Sequence, residues 1–169
     1  TVAHNVANTT TAGFRAEEVK FEQLVSNKTD APTAFASTGE TYLSRKAGAL
    51  ERTDNLLDVA VSGDAWLAYQ GPSGLVYTRD GRMRISMQGD LENMNGQQIL
   101  DQSGGPIQIN PARGAIQISR DGTISQNGER VGRLGLFQIP ANAKLIRHEG
   151  ASVIPDLPAE PVVDFVNKG

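Results

Sequence analysis

The sequence predicts a mainly β fold: an antiparallel, hairpin-rich β domain with an extended N-terminal arm. Two observations carry that prediction. Apolar and polar residues alternate over Leu57–Val61, over Met83–Met87 and at Ile107 and Ile109, the period of two of half-buried strands. Between such runs stand Asp80-Gly81, Asn95-Gly96, Asp121-Gly122 and Asn127-Gly128, dipeptides that suit two-residue hairpin turns. They recur without a fixed period, which points to hairpins rather than a solenoid.

Bulk properties narrow the function. A chain of 169 residues holds one medium domain, or a domain plus an arm. The formal charge of −3, with no Lys/Arg stripe interleaved with aromatics, argues against a nucleic-acid partner. The absence of cysteine rules out disulfides and thiolate metal sites. No apolar run approaches the ~20 residues that span a bilayer as a helix, and no signal-peptide pattern is visible. The first residue is Thr, from which an excised fragment is expected.

Taken in order, residues 1–13 read as the end of a truncated terminal helix and its turn. Val2 and Val6 make a narrow apolar stripe. Asn8-Thr9-Thr10-Thr11 breaks it, since consecutive β-branched residues disfavour helix. Ala12-Gly13 turns the chain. Residues 14–49 read as an extended arm or linker. Phe14 to Val25 fits either a helical face or alternation, and Ser26 to Ala49 is polar without periodicity. Residues 50–155 form the predicted β core domain. Its central hairpin is placed at Asp80-Gly81, with a type I′ turn, and Trp66–Tyr69 and Leu134–Ile139 are apolar runs fit for buried strands. Ala141–Leu145 suggests a helical turn. Residues 156–169 are a Pro-rich return with room only for short extended pieces.

Several stretches together resemble the bacterial flagellar axial proteins, the rod and hook family. Asn5-Val6-Ala7-Asn8, Thr11 and Gly13-Phe14-Arg15 resemble that family's Leu-Ala-Asn helix end and Thr-Pro-Gly-Phe-Lys turn, with Val6 for Leu and Ala12 for Pro. Thr53 to Asp64 resembles its Thr-Gly-Asn-x-Leu-Asp-x-Ala-Ile-x-Gly-Asp segment, after which Ala65-Trp66 replaces Gly-Phe. Tyr77-Thr78-Arg79-Asp80-Gly81, Asn95 to Leu100, Ile118 to Ile124 and Glu149 to Ile154 match further family segments in the expected order. The resemblance is to basal-body rod proteins, of the proximal-rod type more than the larger hook protein. The distal-rod relatives share every motif.

That resemblance implies a structural subunit of the rod, assembling helically with other axial proteins and copies of itself and transmitting torque. It implies export through the flagellar type III apparatus without a cleaved signal peptide. It also implies a place in the periplasm-spanning rod of the basal body and a second long helix beyond residue 169. Candidate assembly contacts fall on Asn5, Asn8, Gly13, Phe14 and Arg15 and on the arm, with Phe14 as an apolar anchor against a neighbour. Asp80, Gly81, Asn95, Gly96, Asp121 and Gly122 are structural turn residues. The isolated chain is expected to be a monomer.

Other chemistry fares less well. Asp54, Asp58 and Asp64 are carboxylates of the kind glycoside hydrolysis needs in pairs, but their positions suit turns and solvent. His148-Glu149 lacks a third metal ligand. Trp66, Tyr69 and Tyr77 could form a stacking platform for a cell-envelope glycan, the alternative reading, yet their strand-like setting suits a core. Asn8-Thr9-Thr10 and Asn27-Lys28-Thr29 fit glycosylation sequons. No nucleophile, base and oxyanion donor assemble. The expectation is therefore no enzyme, cofactor, metal, small-molecule substrate or nucleic acid.

Overall fold

The computed structural model describes residues 2–20, 23–26, 33–36, 40–45 and 53–162. A short helix, α1 (Val2–Ala7), leads through a turn to β1 (Glu17–Lys20), β2 (Gln23–Ser26), β3 (Thr33–Ala36) and β4 (Glu40–Leu43). β1 pairs antiparallel with β4, Glu17 opposite Leu43, and β2 pairs with β3, Gln23 opposite Ala36. The register differs by one residue between the two pairs. The described strands of the arm thus pair as a two-stranded ribbon.

The core begins at β5 (Ala65–Gly71) and β6 (Gly74–Thr78), a hairpin with Gly71 opposite Gly74 about Pro72-Ser73. Then come β7 (Met83–Ile85), β8 (Leu91–Asn93), β9 (Ile116–Ile118), β10 (Thr123–Gln126) and β11 (Glu129–Arg133). β12 (Leu136–Gln138), β13 (Leu145–Arg147), β14 (Ser152–Pro155) and β15 (Glu160–Pro161) complete it. The central sheet has the order β13-β14-β6-β5-β12-β15, antiparallel at every pairing. A second sheet runs β11-β10-β9, and β7 pairs with β8.

The central sheet is buried on both faces. Leu67, Tyr69 and Val76 pack on one side with Met83, Leu91, Ile107, Ile109 and Ile124, which come from the smaller sheets and their connections. Trp66, Ala68 and Tyr77 pack on the other with Leu43, Leu100, Phe137 and Val153. Tyr77 and Phe137 meet edge-on at 5.7 Å and 69°, a favoured aromatic geometry. Burial of both faces explains why Trp66–Tyr69 is a continuous apolar run rather than an alternating one.

Four expectations need correction or completion. Asp80-Gly81 does not close a hairpin. β6 pairs with β5 and β14, β7 pairs with β8, and Gly81 is absent from the positive-φ glycines. Gly81 is there for space: its carbonyl accepts from the Val59 N–H at 3.0 Å, and a Cβ would meet the Val59 carbonyl. Leu57, Val59 and Val61 keep their alternation and pack on the core, but among the described residues no strand ladder runs beside them. The Met83–Met87 alternation ends early, because the chain turns at Ser86 and leaves Met87 97% exposed. Residues 141–145 hold one turn, Ala143 N–H to Pro140 O, before β13 starts.

Candidate functional site

The candidate assembly residues converge on the joint between helix, ribbon and sheet. α1 ends because side chains take over its last carbonyls. Asn8 Nδ2 donates to His4 O at 2.9 Å and Thr9 Oγ1 to Val6 O at 3.2 Å, the local competition that makes such residues helix terminators. The turn then needs glycine twice over. Gly13 has φ +71°, and a Cβ there would collide with the Arg79–Asp80 backbone.

Asn5 reaches across this turn and imitates a strand partner. Its Nδ2 donates to Glu17 O at 2.8 Å, and its Oδ1 accepts from Glu17 N–H at 2.9 Å. Phe14 lies between the His4 ring, 5.6 Å between centroids, and the Arg147 guanidinium, 4.7 Å from its ring. Arg147 also donates to Arg15 O at 2.7 Å and pairs with the Glu17 carboxylate at 3.3 Å. Arg147 sits on β13, so the base of the ribbon is tied to the edge of the central sheet.

Arg15 is only 5% exposed and lies 5.9 Å over the Trp66 ring, with the Arg79 guanidinium 5.7 Å from the same ring. Arg79 donates to the carbonyls of Val61, Gly63 and Ala65 at 2.5, 2.7 and 2.8 Å. Its planar fork gathers three carbonyls of one segment on a single side chain. Burial, with repulsion from Arg15, holds Arg79 down at about 10, against an opposing pull from Asp64. Burial likewise lowers Arg15. Both remain cations at neutral pH. Arg45 acts similarly, donating to Ile139 O, Pro140 O and Ala143 O.

The turn residues lie elsewhere. Asn93 Oδ1 accepts from the N–H groups of Asn95 and Gln97, and Gly96 takes φ +82°. Gly122 N–H donates to Ser119 O, while Asp121 accepts from Thr123 N–H and Oγ1, bonds that lower its pKa. The glycan platform is a correction: Trp66, Tyr69 and Tyr77 are 2%, 1% and 5% exposed, so no ring face meets solvent. Asp54 and Asp64 are exposed, and Asp58 accepts from Asn55 in a turn. Among the described residues no group of three or more His, Asp or Glu gathers for a metal. The second sequon, at Asn27, lies outside the described residues.

Sequence reasoning brought five residues to this joint but missed Glu17, Arg45 and Arg147, to which the sequence motifs assigned no role. Arg79 was within a quoted motif, where its signal was read as part of a hairpin.

A sequence profile for the flagellar hook protein FlgE/F/G D1 domain matches residues 60–126. The chain is 42% identical over all 169 residues to the flagellar basal-body rod protein FlgF of Rhizobium meliloti (strain 1021), spanning 70% of it. It is 36% identical over 142 residues to FlgF of Caulobacter vibrioides, a match covering 81% of this chain and 58% of the relative. It is 34% identical over 142 residues to the rod protein FlgG of Buchnera aphidicola subsp. Baizongia pistaciae, covering 73% of this chain and 53% of the relative. A β domain fastened through arginine clamps, with this kinship, defines a structural subunit of the flagellar axial class. The chain belongs to the FlgF family of flagellar basal-body rod proteins, and its place is the basal body.

Proposed function

We propose that this rod subunit assembles helically with copies of itself and with other axial proteins, and that it transmits torque without catalysing a reaction. The observation that carries this reading is the 42% identity to a named rod protein along the whole chain. The geometry supports it. A core sheet buried on both faces resists shear, and a head-to-tail contact that does not close on itself generates a filament. The exposed stripe of α1, with Val2 76% and Val6 65% exposed, and the ribbon are the surfaces we assign to assembly. Phe14 is packed within its own chain, so its assigned role is to shape the joint from which these surfaces project. Export without a cleaved leader and a periplasm-spanning position complete the proposal.

The test is Val6→Glu in the full-length protein, expressed in a bacterium lacking its own copy. Val6 is exposed, so folding is expected to survive. Loss of rods and of motility, with normal solubility, is the expected result. Normal rods and swimming would remove α1 from the assembly surface.

A further inference from the structure

The way α1 is held has a mechanical consequence. The helix has six residues and none of them is buried. Among the described residues, its contacts run to the turn that follows and to β1. Asn5 grips the backbone of Glu17 through both its amide groups, and the His4 ring leans on Phe14 at 5.6 Å. Both gripped residues are also contacted by one side chain. Arg147 pairs with the Glu17 carboxylate, donates to Arg15 O and covers the Phe14 ring. Neither partner of the ion pair is fully exposed, with side-chain exposures of 20% and 25% for Arg147 and Glu17, so water competes less than at an open surface.

We propose that Arg147 is the latch that sets the position of α1 relative to the central sheet, acting through Glu17 and Phe14. Arg147 is a positioning residue. With the latch closed, displacement of the helix is passed through Asn5 and Glu17 to β13. With it open, the helix loses its tie to β13 through Glu17 and Phe14, while Gly13 and Arg15 keep the turn against the core. The planar guanidinium suits this task, because it bonds a carboxylate, a carbonyl and a ring face from one fixed plane. The inference rests on contacts inside one chain and not on the rod reading, so either can fail without the other.

The experiment is amide hydrogen exchange, read by NMR, on the full 169-residue chain and on its Arg147→Gln variant. The amides to follow are Asn8, Thr9, Thr11 and Phe14, whose backbone bonds close α1 and its turn. The core reference is Leu67, Ala68, Tyr69 and Val76. Arg113→Gln is the control, removing an exposed pair with Glu129 on a different sheet. Expected is roughly tenfold faster exchange at the α1 and turn amides in Arg147→Gln, about 1.4 kcal/mol. The core amides should be unchanged and the control silent. Asn5→Ala, which cuts the tether on the helix side without touching β13, should give the same pattern. Unchanged α1 exchange in Arg147→Gln would overturn the latch, whatever Asn5→Ala shows. So would equal acceleration of helix and core, because Arg147 would then be a general stabiliser only.

Discussion

Arg79 offers the sharpest test of how the segment before β5 is held. Its guanidinium serves the carbonyls of Val61, Gly63 and Ala65 and lies 5.7 Å from the Trp66 ring. Hydrogen bonds from a charged donor contribute about 1.5–3 kcal/mol each when buried, but Gly63 is exposed and water can replace part of what is lost. Burial, which holds Arg79 near 10, offsets a further part, because the charged form is poorly solvated. The net expectation for Arg79→Ala is about 2–4 kcal/mol, including about 0.5–1 kcal/mol for the cation–π contact. Arg79→Lys keeps the charge and most of the stem, yet an ammonium lacks the fork that spans these acceptors, and about 1–2 kcal/mol is expected to go. Urea unfolding followed by Trp66 emission measures both, since Trp66 is the single tryptophan and touches the mutated site. A Lys variant within about 0.3 kcal/mol of the parent would refute the reasoning, because charge alone would then suffice.

Three further outcomes follow from the structure. Gly81→Ala places a methyl group against the Val59 carbonyl and should cost on the order of 2 kcal/mol or more, seen as a lowered Tm. Asn127 takes φ +51° and its side chain donates to Arg113 O, so in urea unfolding Asn127→Ala should be less stable than Asn127→Gly by about 1 kcal/mol. Burial raises the pKa of Tyr69 and Tyr77 above the usual 10. The fold therefore keeps protons that the unfolded chain gives up, and stability present below pH 10 should fall as pH rises through and beyond it. Absorbance at 295 nm during alkaline titration should show tyrosinate forming late and together with unfolding, and early ionisation of all tyrosines in a folded chain would count against this burial.

The β character was legible because alternation and turn dipeptides are local properties. Ile107 and Ile109, which alternate in the sequence, are both buried. What the sequence hid was pairing. Asp80-Gly81 carries the strongest hairpin dipeptide, yet β6 finds its partners in β5 and β14, because burying Val76 and Tyr77 on opposite faces of the central sheet outweighs a local turn preference. The Pro72-Ser73 turn that does close a hairpin, between Gly71 and Gly74, carried no comparable signal in the reading. The joint was half legible. Asn5, Gly13, Phe14 and Arg15 stood in a recognisable motif, whereas Arg147 enters from 132 residues away at the Arg15 carbonyl, a distance over which no spacing rule operates.

The central claim is that this chain is a building block of the rod. It is tested most directly by purifying basal bodies from cells that carry a deletion of the corresponding gene, with and without the protein restored. The account predicts rods only when the protein is present, with the protein in them at fixed stoichiometry. Complete rods and normal swimming in the deletion strain would contradict it.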